Sequence, residues 1–365
     1  MATTEQVPAA FQHRPTFDFA HNPMLVYWEM TQACGLACKH CRAEAMLRSH
    51  PLQLDRNEST RLLKQIASFG EPMPHLILTG GDPLQREDLF DIIDEARDLG
   101  IGVSITPAAT PKLTREVILR LKEHGIQALG LSLDGSNATR HEAVRGVPGC
   151  FQWTMDAARI AGELGLPIQV NTLVSEETID DLPAIYELLQ SFPVMRWSLF
   201  FLIAVGRGKA LQEVSPEQGE LLMNWVYDLA EKAPFAIKTT EAPSFRRISL
   251  DRMRHDGQHA SEIKQSNVYR GFSIRDGHGI VFVSHIGDVY PSGFLPLKVG
   301  NIRTEELPAV YRDSNEFLAL HNPDQFHGKC GHCEYRHICG GSRARAFAHT
   351  GDPLASDPLC PYQPH

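Results

Sequence analysis

Nothing in the 365-residue chain is apolar for long enough to cross a bilayer: the longest such run, "WSLFFLIAVG", falls far short of the roughly 20 residues a spanning helix needs. The opening stretch "MATTEQVPAAFQHRPTFDFAHNP" lacks a basic segment followed by an apolar one, which predicts a cytoplasmic protein with no membrane association. No long basic run occurs, and a formal charge of −9 argues against a dedicated nucleic-acid binder. Low-complexity tracts are missing too, and 42% hydrophobic with 22% charged residues is ordinary globular usage. A reducing cytoplasm does not sustain a disulfide framework, so eight clustered cysteines point to metal or redox chemistry.

What is there is a beat. Strand-like apolar runs at 25–31, 75–81, 101–107, 127–135, 167–175 and 194–206 alternate with helix-like segments at 54–70, 86–100, 114–125, 150–165, 178–192 and 216–233. Repeated βα steps imply a parallel sheet covered by helices. Six units are too few for a closed eight-stranded barrel, so the expected fold is α/β: a partial (β/α)6 barrel with a small C-terminal cysteine-rich domain. The boundaries expected are an N-terminal arm at 1–21, the barrel at 22–234 and the cysteine-rich domain at 235–365. Beyond about residue 235 the beat stops. "GIVFVSHIGDVYP" (279–291) reads as an antiparallel hairpin, and the tail around it is rich in Gly, Pro, His and Cys.

"TQACGLACKHCRAEA" (31–45) sets Cys34, Cys38 and Cys41 within eight residues, directly after the first strand. Three thiolates on one loop can hold three irons of a [4Fe–4S] cube, leaving the fourth iron open to a chelating small molecule. A zinc site completed by His40 or His50 is the alternative from spacing alone. Cys150 reads as a small buried residue rather than a ligand.

This spacing, at this place in a βα series, resembles the radical S-adenosylmethionine (AdoMet) enzymes. The resemblance implies that the open iron binds the amino and carboxylate groups of AdoMet, whose reductive cleavage gives a 5′-deoxyadenosyl radical. It also implies roles for particular residues: His40 beside the adenine; Gly80, Gly81 and Asp82 of "TGGDPL" at the methionine amino group; Ser132, Asp134 and Asn171 at the ribose and carboxylate. Asp82 stands where the family commonly has Glu. Each of these has an ordinary reading as a turn or strand-end polar residue.

Cys330, Cys333, Cys339 and Cys360 form a second set, enough to close a cluster or a tetrahedral zinc site. The wording around them is similar to the auxiliary-cluster extensions called SPASM or, when shortened, twitch domains. Ser292 and Arg343 stand where that pattern has further cysteines, so the resemblance implies one auxiliary cluster and two [4Fe–4S] clusters in all. "VGRG" (205–208) and "KTTEAPSFRR" (238–247) resemble the heme d1 and alternative heme biosynthesis subgroup, which makes Arg207, Glu241, Arg246 and Arg247 substrate candidates. The expected substrate is a tetrapyrrole side chain. The alternative is a ribosomal peptide undergoing crosslinking, with a separate leader-binding partner. The expected electron donor is a flavodoxin or ferredoxin. From another class, a non-catalytic zinc or redox-sensing binding protein fits the cysteines alone. No acid or base for the substrate step is identified from the sequence.

Overall fold

The computed structural model describes residues 18–365, so residues 1–17 of the expected N-terminal arm lie outside the described residues. Strands β1 (Leu25–Glu29), β2 (His75–Thr79), β3 (Val103–Ile105), β4 (Leu129–Ser132), β5 (Ile168–Val174), β6 (Val194–Phe201) and β7 (Ala236–Thr240) run parallel in sequence order. Helices connect them: α1 (Arg56–Ala67), α2 (Leu89–Asp98), α3 (Arg115–Glu123), α4 (Ala138–Arg145), α5 (Cys150–Glu163), α6 (Leu182–Leu189) and α7 (Pro216–Ala230). β8 (Ile280–Val283) pairs parallel with the free side of β1, then turns antiparallel into β9 (Asp288–Tyr290) and on to β10 (Gly300–Asn301). With β10 and β7 at its two edges the ten-stranded sheet stays open.

The helices start where side chains can cap them. Asp55 forms a reciprocal capping box with Glu58 at α1, and Ser215 does the same with Gln218 at α7, ahead of Pro216 at the first helical position. Along each strand the residues alternate between two surroundings. In β2, Leu76 and Leu78 are buried under the helices while His75, Ile77 and Thr79 face an internal cavity. Trp197 of β6 is fully buried on the helix side, flanked by Tyr186 and Trp225, and its indole N–H donates to Thr172 Oγ1 at 2.8 Å.

The parallel series therefore runs one strand past the expected six, and the expected hairpin extends the same sheet rather than standing apart. β7 was hidden because "AIKTT" has no apolar run; all five of its residues are half-buried, with Lys238 and Thr240 turned to the cavity. Helix α4 was hidden for a related reason: "ATRHEAVR" buries only His141 and Val144. Among the described residues no helix is long and apolar enough to cross a membrane.

Candidate functional site

The three-cysteine loop leaves the C-terminal end of β1 and is laid directly on the end of β2. Met30 N–H donates to Thr79 O, Gly81 N–H to Thr31 O at 2.6 Å and Asp82 N–H to Ala33 O at 2.8 Å. Two glycines are required by this approach. A Cβ on Gly80, whose φ is +142°, would lie 2.5 Å from Thr31 O, and one on Gly81 would meet Gln32 O at 2.7 Å. Asp82 is fully buried; its carboxylate accepts from the Leu84 and Ala108 backbone N–H groups, and burial holds it above the usual carboxylate range. The Gly-Gly-Asp turn thus spends its N–H groups on the cysteine loop, and its fit here is to that loop as much as to a ligand.

Cys34, Cys38 and Cys41 are free thiols lining one cavity. Leu36 N–H points at Cys34 Sγ at 3.3 Å and Ala45 N–H at Cys41 Sγ at 3.4 Å, donors suited to thiolates. Burial pushes the Cys34 thiol up to about 11, so a metal must displace its proton on binding. Arg145, at the C-terminal end of α4, sits between two anion positions: its Nε is 2.6 Å from the Asp134 carboxylate and its Nη1 3.6 Å from Cys38 Sγ. Burial alone would raise Asp134, but the Arg145 charge holds it below the usual range. Cys150, fully buried, packs against Cys34 and Cys38. Three sulfurs, two N–H donors and a guanidinium fit an anionic iron–sulfur cluster with one iron left open.

Gly206, with φ +53°, brings the 205–208 loop onto the same cysteines: a Cβ there would lie 2.7 Å from Arg42 O, and Arg207 N–H donates to Cys41 O. Arg207 lines the cavity with its Nε and Nη2 buried and without hydrogen-bond partners. His40 lines it too, its Nδ1 unpartnered, and burial followed by the Arg145 charge holds the ring down at about 4, neutral at ordinary pH.

The second cysteine set lies in the C-terminal tail beside the helix Phe245–His255, where the Tyr335 hydroxyl donates to Asp251 and Arg247 lies over the Tyr362 ring. Asp357 N–H points at Cys330 Sγ and Gly341 N–H at Cys339 Sγ, each at 3.4 Å. Burial raises Cys333 to about 12, and raises Cys339 and Cys360 as well, with the other thiols of the set adding to Cys333 and Cys339. Arg343 is wholly buried, donates to Pro353 O and Ala355 O, and places Nη2 3.7 Å from Cys330 Sγ over the Phe326 ring. A guanidinium there both pins the loop carrying Cys360 and supplies positive charge to the sulfurs. Four thiols with such neighbours suit a fully ligated cluster.

The cavity has a volume of about 520 Å³, within the range of small-molecule sites. It runs from the cysteine loop down the inner face of the sheet and collects Gly80, Gly81, Ser132, Asp134, Asn171, Arg207 and Glu241. Glu241 adopts a left-handed backbone at φ 59° and accepts from Ser342 Oγ at 2.5 Å; burial, then the Asp276 charge, holds it well above the usual carboxylate range. Arg247 is not brought to the cavity: it is buried, bonds both oxygens of Glu220 and lies over the Tyr362 ring, which makes it a structural cation beside Cys360. Arg246 does not line the cavity either. Cations that do, and that the sequence reading missed, are Arg42, Arg145, Arg196 and Lys238. For Arg196 the signal was a charged residue at an inward position of an otherwise apolar strand; Lys238, in "AIKTT", had none.

Residues 28–189 match the family model described as the Radical SAM superfamily. The chain is 36% identical over 344 residues to the "AdoMet-dependent heme synthase" of Oleidesulfovibrio alaskensis, covering 93% of this chain and 87% of the relative. It is 35% identical to the protein of that name from Nitratidesulfovibrio vulgaris, over 98% and 97% of the two chains. Among solved structures, Streptococcus suis SuiB bound to the precursor peptide SuiA superposes with a TM-score of 0.72 at 17% identity, covering 94% of this chain and 76% of that one. That likeness is one of fold.

Proposed function

Because this chain belongs to the radical SAM enzymes, which use AdoMet and a [4Fe–4S] cluster, we propose that it oxidises a side chain of a tetrapyrrole, as an enzyme of the AdoMet-dependent heme synthase type. The observation that carries this reading is the charge of the cavity beside the cysteine loop. Five cations line it, Arg42, Arg145, Arg196, Arg207 and Lys238, against two acids, Asp134 and Glu241. Arg42 is offset by Glu29 and Arg145 by Asp134. Among the described residues the other three have no carboxylate partner within a salt-bridge distance. An enclosed space with surplus unpaired cations suits a substrate bearing several carboxylates, and a tetrapyrrole with acid side chains is one.

When bound, the first cluster would supply the electron for reductive cleavage of AdoMet, and a second would accept the electron left once a substrate hydrogen is removed. The chain's own residues do the rest. Cys34, Cys38 and Cys41 would hold the first cluster, with Arg145 offsetting its negative charge through Cys38. The neutral ring of His40 offers a face to the adenine, and Ser132 and Asn171, opposite each other on β4 and β5, face the space where the ribose and carboxylate would lie. Cys330, Cys333, Cys339 and Cys360 would hold the second cluster. Arg207, next to the Cys41 carbonyl, is placed to orient a substrate carboxylate close to the reacting carbon. A one-electron donor of the flavodoxin or ferredoxin class completes the system.

The test is product analysis. Anaerobically reconstituted enzyme, AdoMet and dithionite are incubated with an iron porphyrin bearing propionate side chains, and separately with candidate peptides. A change of porphyrin mass with stoichiometric 5′-deoxyadenosine is the expected result. A thioether or carbon crosslink in a peptide, with every porphyrin unchanged, would replace the tetrapyrrole by a peptide.

A further inference from the structure

Arg196 and Lys238 sit apart from the cysteine loop, deep in the barrel. Arg196 is the third residue of β6, five residues before Phe201 at the strand's C-terminal end, roughly 16 Å down the strand at about 3.3 Å per residue. Lys238 lies on the neighbouring strand β7, opposite Ser198, while Arg196 is opposite Ala236; the two side chains are diagonal neighbours on the inner face. Both line the cavity. Among the described residues neither has a carboxylate within a salt-bridge distance. Arg196 donates only to a neutral acceptor, Gln169 Oε1 at 3.3 Å, and Gln169 in turn donates to Asn171.

Two cations enclosed together with no counter-ion repel each other and lose hydration, an arrangement that persists only where something else repays it. The Lys238 ammonium registers the strain, pushed down to about 8 by burial first and then by the charges of Arg196 and Arg246. Tyr27, half-buried and inward-facing, is raised by burial while the same Arg196 charge pulls it down. A phenol, a guanidinium and an ammonium facing one cavity make a donor set for a carboxylate, with the Gln169 carbonyl holding the guanidinium in place.

We propose that Arg196 and Lys238, with Gln169 and Tyr27 beside them, form an anion subsite in the N-terminal half of the barrel that takes a carboxylate side chain of the substrate remote from the reacting carbon. This rests on the tetrapyrrole reading above. A tetrapyrrole carries acid side chains on several rings, so one can be held at depth while another lies at the mouth beside Arg207 and the cysteine loop. The subsite then fixes which ring faces AdoMet. It is an anchor, not a reacting group.

The experiment uses the full-length reconstituted enzyme and two probes, coproporphyrin with four free propionates and its tetramethyl ester, with affinity read from porphyrin absorbance and fluorescence. The proteins are wild type, Arg196→Gln, Lys238→Met and the double variant. Wild type is expected to bind the acid at least tenfold more tightly than the ester, and each single variant to lose about tenfold of the acid's affinity, as hydrogen bonds between charged groups do. In the double variant the preference for the acid over the ester should fall at least tenfold, to what the Arg207 end of the cavity alone supplies. A variant that merely misfolds loses both probes together, so the ratio reads the subsite and not the fold. Wild-type discrimination retained in the double variant overturns the subsite while leaving the tetrapyrrole reading intact. Failure of wild type to bind either porphyrin overturns that reading, and the subsite with it. Loss of AdoMet binding by equilibrium dialysis, with porphyrin discrimination unchanged, would assign the two cations to the AdoMet carboxylate instead.

Discussion

Replacing Arg145 by Gln isolates the pair that ties the barrel to the cluster loop. In the native chain the Asp134 side chain is 1% exposed and that of Arg145 12%, and their ion pair is 2.6 Å long. Removing one partner of a buried pair leaves the other charged in a dry site, which costs about 3–5 kcal/mol. With an unfolding entropy of about 2.1 cal/mol/K per residue, a cost of about 4 kcal/mol lowers the apparent melting midpoint of a chain this size by roughly 5 °C. The pH profile carries a sign as well. Asp134 is held below its ordinary value in the folded protein, so its contribution is present above the unfolded value near 4 and is lost as pH falls through the lower folded one. In Arg145→Gln burial is left to dominate, the folded value rises above 4, and the variant loses stability as pH rises through that window. Adding Asp134→Asn should recover most of the loss, because neither charge is then stranded. The assay is differential scanning of the holoenzyme from pH 4 to 8, with bound iron measured alongside. If the double variant melts no higher than Arg145→Gln, or if Arg145→Gln keeps the wild-type midpoint and iron, the pair does not do what the geometry says.

Three further outcomes follow from the same contacts. Changing Cys34, Cys38 and Cys41 together to Ala should leave about half the iron and sulfide, held by the C-terminal set; complete loss, or no loss, in anaerobic metal analysis would contradict two separate clusters. Gly81→Ala forces a methyl against the Gln32 and Ala33 backbone, so the cysteine loop must shift; N-terminal cluster content and 5′-deoxyadenosine formation should fall together, whereas Gly100→Ala, strained by its φ of +80° but with nothing within 4 Å, should lower the melting midpoint and leave both intact in the folded protein. Glu241 is held above its ordinary value, so the folded state binds an extra proton and stability falls as pH rises beyond about 4.5. Glu241→Gln should therefore raise the melting midpoint at pH 8 more than at pH 5, and an equal effect at both would show that the carboxyl is not neutral in the native protein.

The sheet was legible because β1 to β6 and their helices carry strong apolar periodicity, and the cysteines because their spacing is unusual. The rest was hidden by the cavity itself. A strand whose inner face looks into a polar space loses half its apolar signal, which is why β7 escaped and why Arg196 and Lys238 were not picked out. Arg246 and Arg247 were picked out because "KTTEAPSFRR" resembles a stretch of the heme-biosynthesis subgroup; whether they face a ligand or a neighbouring helix depends on helix rotation, and Arg247 turns to Glu220. Asp134 shows the same limit: its place after β4 was readable, but its partnership with Arg145 depends on α4, whose pattern was too weak to see.

The two cysteine sets are separated by some 290 residues of sequence yet are joined by short polar connections through the cavity wall. Arg345, 1% exposed, donates to Glu241 O at 2.7 Å and Leu202 O at 3.1 Å and approaches the buried Asp357 carboxylate at 3.5 Å. Those carbonyls follow the C-terminal ends of β7 and β6, while Asp357 belongs to the loop whose N–H reaches Cys330 Sγ. Ser342, three residues after Cys339, adds a bond to the Glu241 side chain. One guanidinium and one hydroxyl thus fix the tail against the rim of the barrel at the point where Glu241 enters the cavity. The proposed transfer of an electron between the two sets depends on a fixed separation, and buried, hydrogen-bonded polar groups hold one better than apolar contact alone, because each broken bond leaves a donor or acceptor stranded. The repeated arginines of "SRARA" are therefore physical ties, Arg343 to the sulfur-bearing loop and Arg345 to the strand ends, and together they make a single rigid frame of what the sequence divides into barrel and tail.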